Sequence, residues 1–465
     1  MKHSPVIFVL AGLATAGLRA ATYEVGPDKP YASIGEAPLA RLEPGDVVLI
    51  HYRPEPYREK FVLCRQGTAD APIVIRGVPG EDGTLPVLDG ANAKTAPGLN
   101  FWGDERSVIK IGGASTPADT MPKHIVIENL HVRSARSAYR FTDENGNTGS
   151  YARNAAAITI EKGENITIRN CILTDSGNGL FVSSSNTHLS RDILVEGNYI
   201  HGNGNPRSST EHNVYSSAMG VTFQYNRFGP PLAGSAGNNL KDRSAGMVIR
   251  YNWIEGGNRQ LDLVDAGGVL ALRNDPSYRE SFVYGNVLIE PDGDGNSQIT
   301  HYGGDSGNTD AYRKGMLFFY NNTIVTRRTN LTILFRLSTN DESCDFRNNI
   351  VYPAAAGGEA ITLINTSGTL LLSNNWMKPG WVEASGALTG KIVDDGTTIT
   401  GDSPGFVDEA AADYRLAEGS PCIDRGALLE PRALPGHEVV RQYVKHQSSE
   451  ERRPRDGIDI GAYEF

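Results

Sequence analysis

Apolar and polar residues alternate in a short phrase that recurs through the middle of the chain. The phrase reads apolar, any, apolar, any, an optional residue, Asn, any, apolar, so its apolar positions follow the two-residue period of a strand. Its copies end at Ile172, Ile200, Phe228, Ile254, Leu288, Ile324, Val351 and Met377. Its asparagines are Asn170, Asn198, Asn226, Asn252, Asn286, Asn322, Asn349 and Asn375, at intervals of 26 to 36 residues. Helical periodicity is absent here, so the pattern predicts repeated short strands.

A repeat of about 26 residues that holds two or three short strands is typical of a parallel β-solenoid. One coil cannot bury its apolar face alone and must stack on its neighbours, about 4.8 Å apart. Stacking places the asparagines above one another, so we expect them to form a ladder of hydrogen bonds. The longer intervals, from Asn252 to Asn286 and on to Asn322, predict inserted loops. A β-propeller needs about 40 residues per blade and does not fit this spacing.

The ends of the chain predict the remaining organisation. Lys2 and His3 precede an apolar run and the small residues up to Ala20, which is typical of a signal peptide. We therefore expect residues 1–20 to be cleaved, and the mature protein to be secreted or periplasmic. The other predicted regions are an N-terminal cap with the first coils at 21–100, the β-helix at 101–400, and C-terminal coils with a cap at 401–465. A short helix near Ile34 to Leu42 is expected to close the N-terminal end of the core.

The amino-acid composition disfavours several classes of fold and of binding partner. The 52 glycines among 465 residues disfavour a mostly helical protein, because glycine inside a helix costs about 1 kcal/mol. The net charge of -10 and the lack of long basic runs disfavour nucleic-acid binding. No stretch after the leader is long and apolar enough for a membrane helix. We expect a monomer that binds neither nucleic acid nor membrane.

Several segments resemble one known family. The opening PGDVVLIHYRPEPYRE, the coils with R-N-x-I and the terminal DIGAYEF are similar to secreted right-handed parallel β-helix polysaccharide lyases, of the alginate lyase and chondroitinase B type. The resemblance implies an all-β right-handed parallel β-helix. It also implies β-elimination of a uronic-acid polysaccharide such as alginate. The same fold carries glycoside hydrolases and non-catalytic carbohydrate-binding proteins, so these functions remain alternatives.

Three coils align without gaps just before the repeated phrase, at HNVYSSAMG, NNLKDRSAG and RQLDLVDAG. The alignment turns Val214, Leu240 and Leu261 inward, and the alternation of faces then turns the next residues outward. Those outward residues are Tyr215, Lys241 and Asp262, with Arg243 two positions after Lys241. Extended to the next coil, the alignment places Thr300 and Tyr302 outward and His301 inward, with Arg336 following.

This face carries the groups that uronate β-elimination needs, namely a cation for the carboxylate, a base and an acid. Arg243, Arg259 or Arg336 is expected to neutralise the carboxylate. Lys241 is the candidate base, if crowding by arginines lowers its pKa, and Tyr215 is the candidate acid, or acid and base together. The family resemblance supports these roles for Lys241, Arg243 and Tyr215.

The remaining residues of this face are predicted to bind substrate. They are Arg259, Asp262, His212, Tyr302 and Arg336. Simpler interpretations stay open: a cross-strand salt bridge between Lys241 and Asp262, a surface aromatic at Tyr215, and a loop hydrogen bond at His212. The loops at 200–215 and 300–315 are expected to shape the groove.

We expect no cofactor and no metal site. The four cysteines lie far apart and form no zinc pattern. The run Asp292-Gly-Asp294-Gly-Asn296 has alternating oxygen ligands like the start of a calcium loop, and calcium there is an alternative. Asp262 and Asp265 do not both point outward, which disfavours the two-carboxylate site of a glycoside hydrolase.

Overall fold

A computed structural model describes residues 20–465, so the predicted signal peptide lies almost wholly outside the described residues. Among the described residues, three long sheets, here named A, B and C, contain 13, 11 and 14 strands. The chain visits A, then B, then C in each full coil, and equivalent strands of successive coils pair in parallel. The predicted all-β parallel β-helix is confirmed.

Sheet A contains Thr22–Val25, Val47–His51, Ile73–Val78, Lys123–Glu128, Glu164–Arg169, Arg191–Glu196, Met219–Gln224, Ala245–Arg250, Glu280–Tyr284, Met316–Tyr320, Ser343–Arg347, Thr369–Ser373 and Lys391–Asp394. Sheet B contains Val87–Asp89, His131–Arg133, Ile172–Thr174, Tyr199–Ile200, Arg227–Phe228, Trp253–Glu255, Val287–Glu290, Thr323–Thr326, Ile350–Pro353, Trp376–Met377 and Ile399–Thr400.

Sheet C contains Thr148–Ser150, Arg140–Thr142, Ala93–Thr95, Glu59–Leu63, Ser107–Ile111, Ala156–Ile160, Asn178–Val182, Val214–Ser216, Leu240–Asp242, Leu261–Leu263, Gln298–Tyr302, Thr332–Leu337, Ile361–Ile364 and Val382–Ala384. Within sheet C, Thr148–Ser150 pairs antiparallel with Arg140–Thr142. Three separate two-stranded antiparallel sheets among residues 20–465 join Asn100–Phe101 to Ala114–Thr116, Phe406–Asp408 to Asp413–Leu416, and Arg441–Val444 to Ser448–Glu451. In the part of the chain that the structure describes, the helical elements are Leu270–Arg273 and the 3₁₀ turns Ile34–Glu36, Leu39–Arg41, Asp104–Arg106, Pro276–Arg279, Thr309–Ala311 and Pro431–Ala433.

The core is a column of stacked apolar side chains inside the three sheets. In sheet A, for example, Ile168, Val195, Phe223 and Ile249 occupy the same position of four successive coils and are fully buried. Alternation along each strand turns every second residue into this column. The apolar positions of the repeated phrase therefore form the core, as the sequence predicts.

An asparagine ladder runs down the corner between sheets A and B. The side-chain oxygen of Asn252 accepts hydrogen bonds from the backbone nitrogen and the side-chain nitrogen of Asn226, both at 3.0 Å. The side-chain nitrogen of Asn252 in turn donates to the carbonyl of Phe223 at 2.9 Å. The same pattern repeats at Asn198, Asn286, Asn322 and Asn349, with Asn375 accepting from Asn349. The predicted ladder is confirmed from Asn198 to Asn375.

Asn170 is the exception, and its predicted place in the ladder is wrong. Cys171 occupies the ladder position of that coil, and its backbone nitrogen donates to the side chain of Asn198. Asn170 aligns instead with Gly197, at the preceding position, where the backbone turns with a positive φ of 52°. Asparagine tolerates this left-handed conformation better than most residues, which explains its presence there.

The N-terminal capping element is present, but it is not one helix. Ile34, Leu39 and Leu42 are buried against the core from two single 3₁₀ turns. Pro38 lies between the turns and holds the preceding Ala37 in an extended conformation, which ends the first turn.

The C-terminal segment 401–465 lies along the side of the coils. The side chains of Asn374, Asn348 and Asn321 donate to carbonyls of this segment at 2.8 to 2.9 Å. Near its end, Gln447 reaches back to the carbonyl of Gly197 at 2.9 Å. The segment therefore covers the left-handed corner positions over several coils, a placement that the sequence did not indicate.

We predict that Asn252→Ala lowers the free energy of unfolding by about 3 kcal/mol or more. The change leaves buried groups of Asn226 and the carbonyl of Phe223 without partners, and each unpaired group costs about 1–3 kcal/mol. Urea denaturation followed by circular dichroism measures the effect. Asn170→Gly is the control, because it changes an asparagine of the same phrase outside the ladder, and we expect it to cost less than about 0.5 kcal/mol. Equal losses in the two variants would show that the ladder is not a main source of stability.

Candidate functional site

Parallel pairing confirms the three-coil alignment on sheet C. Tyr215 pairs with Lys241, and Lys241 pairs with Asp262 in the next coil. Phe181 precedes Tyr215 in the same register. We call these stacked outward positions the outer row, which continues to His301 and Arg336.

The assignment of the next coil is wrong by one residue. Leu261 pairs with Thr300, and Leu263 pairs with Tyr302, so both Thr300 and Tyr302 face the core. Tyr302 is fully buried and cannot contact a substrate. His301, which was expected to face inward, lies in the outer row instead. The gap-free alignment ends at Gly267, and the insertion before Gln298–Tyr302 hides the register.

Lys241 is almost fully buried between two carboxylates. Its amino group bonds Asp262 and lies 2.6 Å from the Oδ2 of Asp305. The salt bridge to Asp262 that the sequence left open is therefore present. The sequence predicts arginines around the amino group of Lys241. The two groups that it bonds are carboxylates instead. Lys241 accordingly forms ion pairs with Asp262 and Asp305.

Asp262 lies at the centre of a buried network. Its carboxylate accepts hydrogen bonds from Asn238 at 2.8 Å, from Lys241, and from Nδ1 of His301 at 2.8 Å. Burial by itself raises the pKa of this carboxyl, but the hydrogen bond from His301 and the charges of Lys241 and Arg259 outweigh it, so the pKa lies well below its usual range. Asp262 therefore stays negatively charged and anchors the cations around it.

A serine completes this network on the other side of His301. Nε2 of His301 lies 2.9 Å from Oγ of Ser338, so the order Ser338, His301, Asp262 has the connectivity of a serine hydrolase triad. However, the same Oγ accepts a hydrogen bond from the backbone of Gly304 at 2.9 Å. Ser338 thus fastens the loop that begins at Gly303 and carries Asp305.

Arg243 connects the phenol of Tyr215 to that loop. Its Nε donates to the Tyr215 hydroxyl at 2.7 Å, and its Nη2 donates to Asp305 at 2.8 Å. Its Nη1 donates to the backbone carbonyl of Asp265. Burial lowers the pKa of this guanidinium, but Tyr215 and Asp305 outweigh burial and raise the pKa above its usual value. The three predicted catalytic residues are thus brought together, and their catalytic roles remain predictions.

The other predicted binding residues are placed differently from one another. His212 is buried beside Tyr215, with ring centroids 5.8 Å apart, and its Nδ1 accepts a hydrogen bond from the backbone of Asn238 at 2.9 Å. Burial lowers the pKa of His212 to about 3, so its ring is neutral near pH 7, and its role in substrate binding remains a prediction. Arg259 binds Gln298 at 2.8 Å and lies 3.6 Å from Asp262, whereas Arg336 is exposed at the end of the outer row.

An open cleft of about 340 Å³ lies directly beside this network. Phe181, Tyr215 and Arg243 line it together with Ala266 and Ser306. The rings of Phe181 and Tyr215 stack with their centroids 5.1 Å apart and are partly exposed. The cleft therefore offers an aromatic surface next to a guanidinium.

The candidate calcium loop uses its oxygens within the protein. Oδ1 of Asp292 accepts from the backbone of Thr329 at 3.0 Å, and Oδ2 of Asp294 accepts from the backbone of Gly257 at 2.8 Å. Within residues 20–465, no group of three or more His, Cys, Asp or Glu side chains is arranged to hold a metal ion. Over the same residues, no helix has the length and apolar character needed to cross a membrane.

Asp305 and Ser338 are the site residues that the sequence reasoning missed. Asp305 follows two glycines in a loop whose length is not repeated in other coils, so coil alignment assigns it no position. The Gly-Gly-Asp-Ser-Gly run itself was the available signal, within a loop expected to shape the groove.

Comparison with solved structures finds a similar fold in a pectate lyase. Pectate lyase Pel9A is 12% identical, covers 96% of this chain and 97% of its own, and has a TM-score of 0.51. An alginate lyase from Paenibacillus sp. str. FPU-7 is 13% identical over 75% and 99%, with a TM-score of 0.48. A lacto-N-biosidase from Eubacterium ramulus is 12% identical over 82% and 68%, with a TM-score of 0.39. No protein-family model and no curated sequence matches the chain. At such low identity the likeness shows the parallel β-helix fold.

We predict that the pH dependence of stability changes in the variant His212→Asn. The folded pKa of about 3 lies below the unfolded value of about 6.5, so the stability due to neutral His212 is complete above pH 6.5 and is lost as the pH falls toward 3. Between pH 7 and pH 4.5 this loss amounts to about 2 kcal/mol in the wild-type protein. Asparagine keeps an acceptor for Asn238 without titrating, so urea denaturation at the two pH values should show a smaller difference. An unchanged difference would contradict the burial of a neutral His212.

Proposed function

We propose that the protein is a secreted or periplasmic polysaccharide lyase that cleaves an acidic, uronic-acid-containing polysaccharide such as alginate by β-elimination. One observation carries the proposal: the carboxylate of Asp305 binds Lys241 and Arg243, and Arg243 also donates a hydrogen bond to the phenol of Tyr215. A position that can bind a substrate carboxylate therefore lies next to the phenol of Tyr215, which can transfer a proton. The fold is also that of known polysaccharide lyases.

The first requirement is to neutralise the uronate carboxylate. The proton at C5 becomes acidic only when the negative charge beside it is compensated. Arg243 presents a planar guanidinium with a raised pKa, so it stays charged, and Lys241 adds a second positive charge. We therefore assign Lys241 to charge neutralisation, because its amino group is already bound to carboxylates and a base needs a free lone pair.

The second requirement is proton transfer, which we assign to Tyr215. As a phenolate, its oxygen takes the C5 proton, the electron pair of the C5–H bond forms the C4–C5 double bond, and the C4–O bond breaks. The tyrosine then returns a proton to the leaving glycosidic oxygen. Arg243 Nε, 2.7 Å from the phenol oxygen, places a positive charge where negative charge develops during the transfer.

A glycoside hydrolase reading has less support from the same site. It needs two carboxyl groups free to act as acid and base. Asp262 is bound by Lys241, Asn238 and His301, and Asp265 accepts from the backbones of Asp305 and Ser306 at 2.8 and 3.1 Å. Both carboxylates are buried and serve to hold the site together.

The products decide between the candidate functions. The purified protein is incubated with alginate, polygalacturonate and chondroitin sulfate while the ultraviolet absorbance and the reducing ends are followed. A lyase raises both, because it leaves a conjugated C4–C5 double bond. A hydrolase raises only the reducing ends, and a binding protein raises neither, so either of those results would contradict the proposal.

We predict that Tyr215→Phe lowers kcat at least about a hundredfold on the polysaccharide that is cleaved, because it removes the proton-transfer group. The stacked ring remains, so KM should change little. Initial rates of the ultraviolet absorbance increase measure both constants. Tyr199→Phe on sheet B is the matched control and should keep the wild-type rate. A Tyr215→Phe rate near the wild type would refute the assignment.

We predict that Arg243→Lys lowers kcat/KM about a hundredfold. A lysine has one amino group and cannot reach Tyr215, Asp305 and the Asp265 carbonyl at once, as the guanidinium does. Arg453→Lys, at an exposed position of the C-terminal segment away from the cleft, is the control and should stay within about fivefold of the wild type. Equal losses in the two variants would contradict a specific role for the Arg243 guanidinium.

A further inference from the structure

We infer that the side chain of Asp305 occupies the subsite of a substrate carboxylate and rotates out when an acidic sugar binds. The inference deepens the proposed function, on which it rests for the carboxylate-bearing substrate. It makes Asp305 an internal competitor that sets the affinity of the site for acidic sugars.

The contacts of Asp305 are those of a bound carboxylate ligand. Its Oδ2 lies 2.6 Å from the amino group of Lys241 and 3.1 Å from Nη2 of Arg243. Its Oδ1 lies 2.8 Å from the same Nη2. Two cations of the same coil, two residues apart, therefore bind both carboxylate oxygens, which is how proteins recognise carboxylates.

Asp305 is also the accessible carboxylate of the cluster. Its side chain is 31% exposed, whereas those of Asp262 and Asp265 are 3% and 0% exposed. Solvent, and hence a ligand, reaches Asp305 without any change in the coils. The paired interaction of such a partly exposed carboxylate is also weak compared with that of a buried one.

The backbone around Asp305 is held in place, so the movement is a side-chain rotation. The amides of Asp305 and Ser306 donate to Asp265, and the amide of Gly304 donates to Ser338. The ring of Tyr312 packs against Gly304 so closely that an added Cβ would lie 2.1 Å from it. The loop therefore stays fixed while the Asp305 carboxylate turns toward solvent.

The charge balance of this network makes the replacement of Asp305 specific for an anionic ligand. Lys241, Arg243 and Arg259 oppose the carboxylates of Asp262, Asp265 and Asp305 within this network. Burial lowers the pKa of the neighbouring His301, so it adds no charge near neutral pH. When Asp305 leaves, one positive charge is uncompensated, and only an anionic ligand restores the balance. A neutral or methyl-esterified sugar leaves that charge unpaired and is disfavoured.

Calorimetric titration of the full chain tests the inference. The probes are trimers of mannuronate, guluronate and galacturonate, with methyl-esterified trigalacturonate as the neutral probe. We expect Asp305→Asn to lower the Kd of at least one acidic trimer fivefold or more and to leave binding of the ester unchanged. Asp310→Asn removes the same charge from the exposed part of this loop, and it should change each Kd less than twofold. Thermal unfolding checks that each variant is folded, and Asp305→Ser is a second variant of the same position.

Each outcome has a defined consequence. Weaker or unchanged binding by both Asp305 variants, an effect equal to that of Asp310→Asn, or no binding of any acidic trimer by any variant overturns the inference. Tighter acidic binding without ultraviolet-absorbing products keeps the inference and refutes the lyase function. Lyase activity without tighter binding by the Asp305 variants keeps the function and overturns the inference.

Discussion

The hydrogen bonds of the asparagine ladder hold each coil in register with the next, and the rest of the molecule depends on that register. Each ladder asparagine bonds to the coil on either side, as Asn252 does with Asn226 and Asn286. A slip of one residue would leave buried amides unpaired and turn the apolar column outward. The register therefore also determines which side chains stack outside. Tyr215, Lys241, Asp262 and His301 share one row because their coils cannot shift.

Placing charged groups side by side on a buried face requires that they compensate one another. Asp262 keeps its charge because His301, Lys241 and Arg259 surround it, and Lys241 tolerates burial because carboxylates surround it. The cluster is balanced only when Asp305 is included. Lys241 and Arg243 bind Asp305 in the empty site, and the same two residues would bind the anion of a ligand. The stability of the empty site and its affinity for an anion are therefore connected.

The sequence predicts the register well wherever coils have equal length. Val214, Leu240 and Leu261 align without gaps, and the faces of Tyr215 and Lys241 follow from strand alternation alone. The next coil contains the helix Leu270–Arg273 and a longer loop, and there the extrapolation assigns Tyr302 to the wrong face. Asn170 shows the same limit on a smaller scale, because an asparagine suits both the ladder and the left-handed position before it.

By itself, the sequence determined the coil period, the all-β solenoid and the outward stripe of Tyr215, Lys241 and Arg243. These features are local or periodic, and alternation and repeat length express them directly in the order of residues. Only the tertiary structure decided that Asp305, 64 residues after Lys241, lies on that stripe and that the C-terminal segment covers the coil corners. Both contacts come from segments outside the repeat, whose positions depend on packing between distant parts of the chain rather than on any spacing within it.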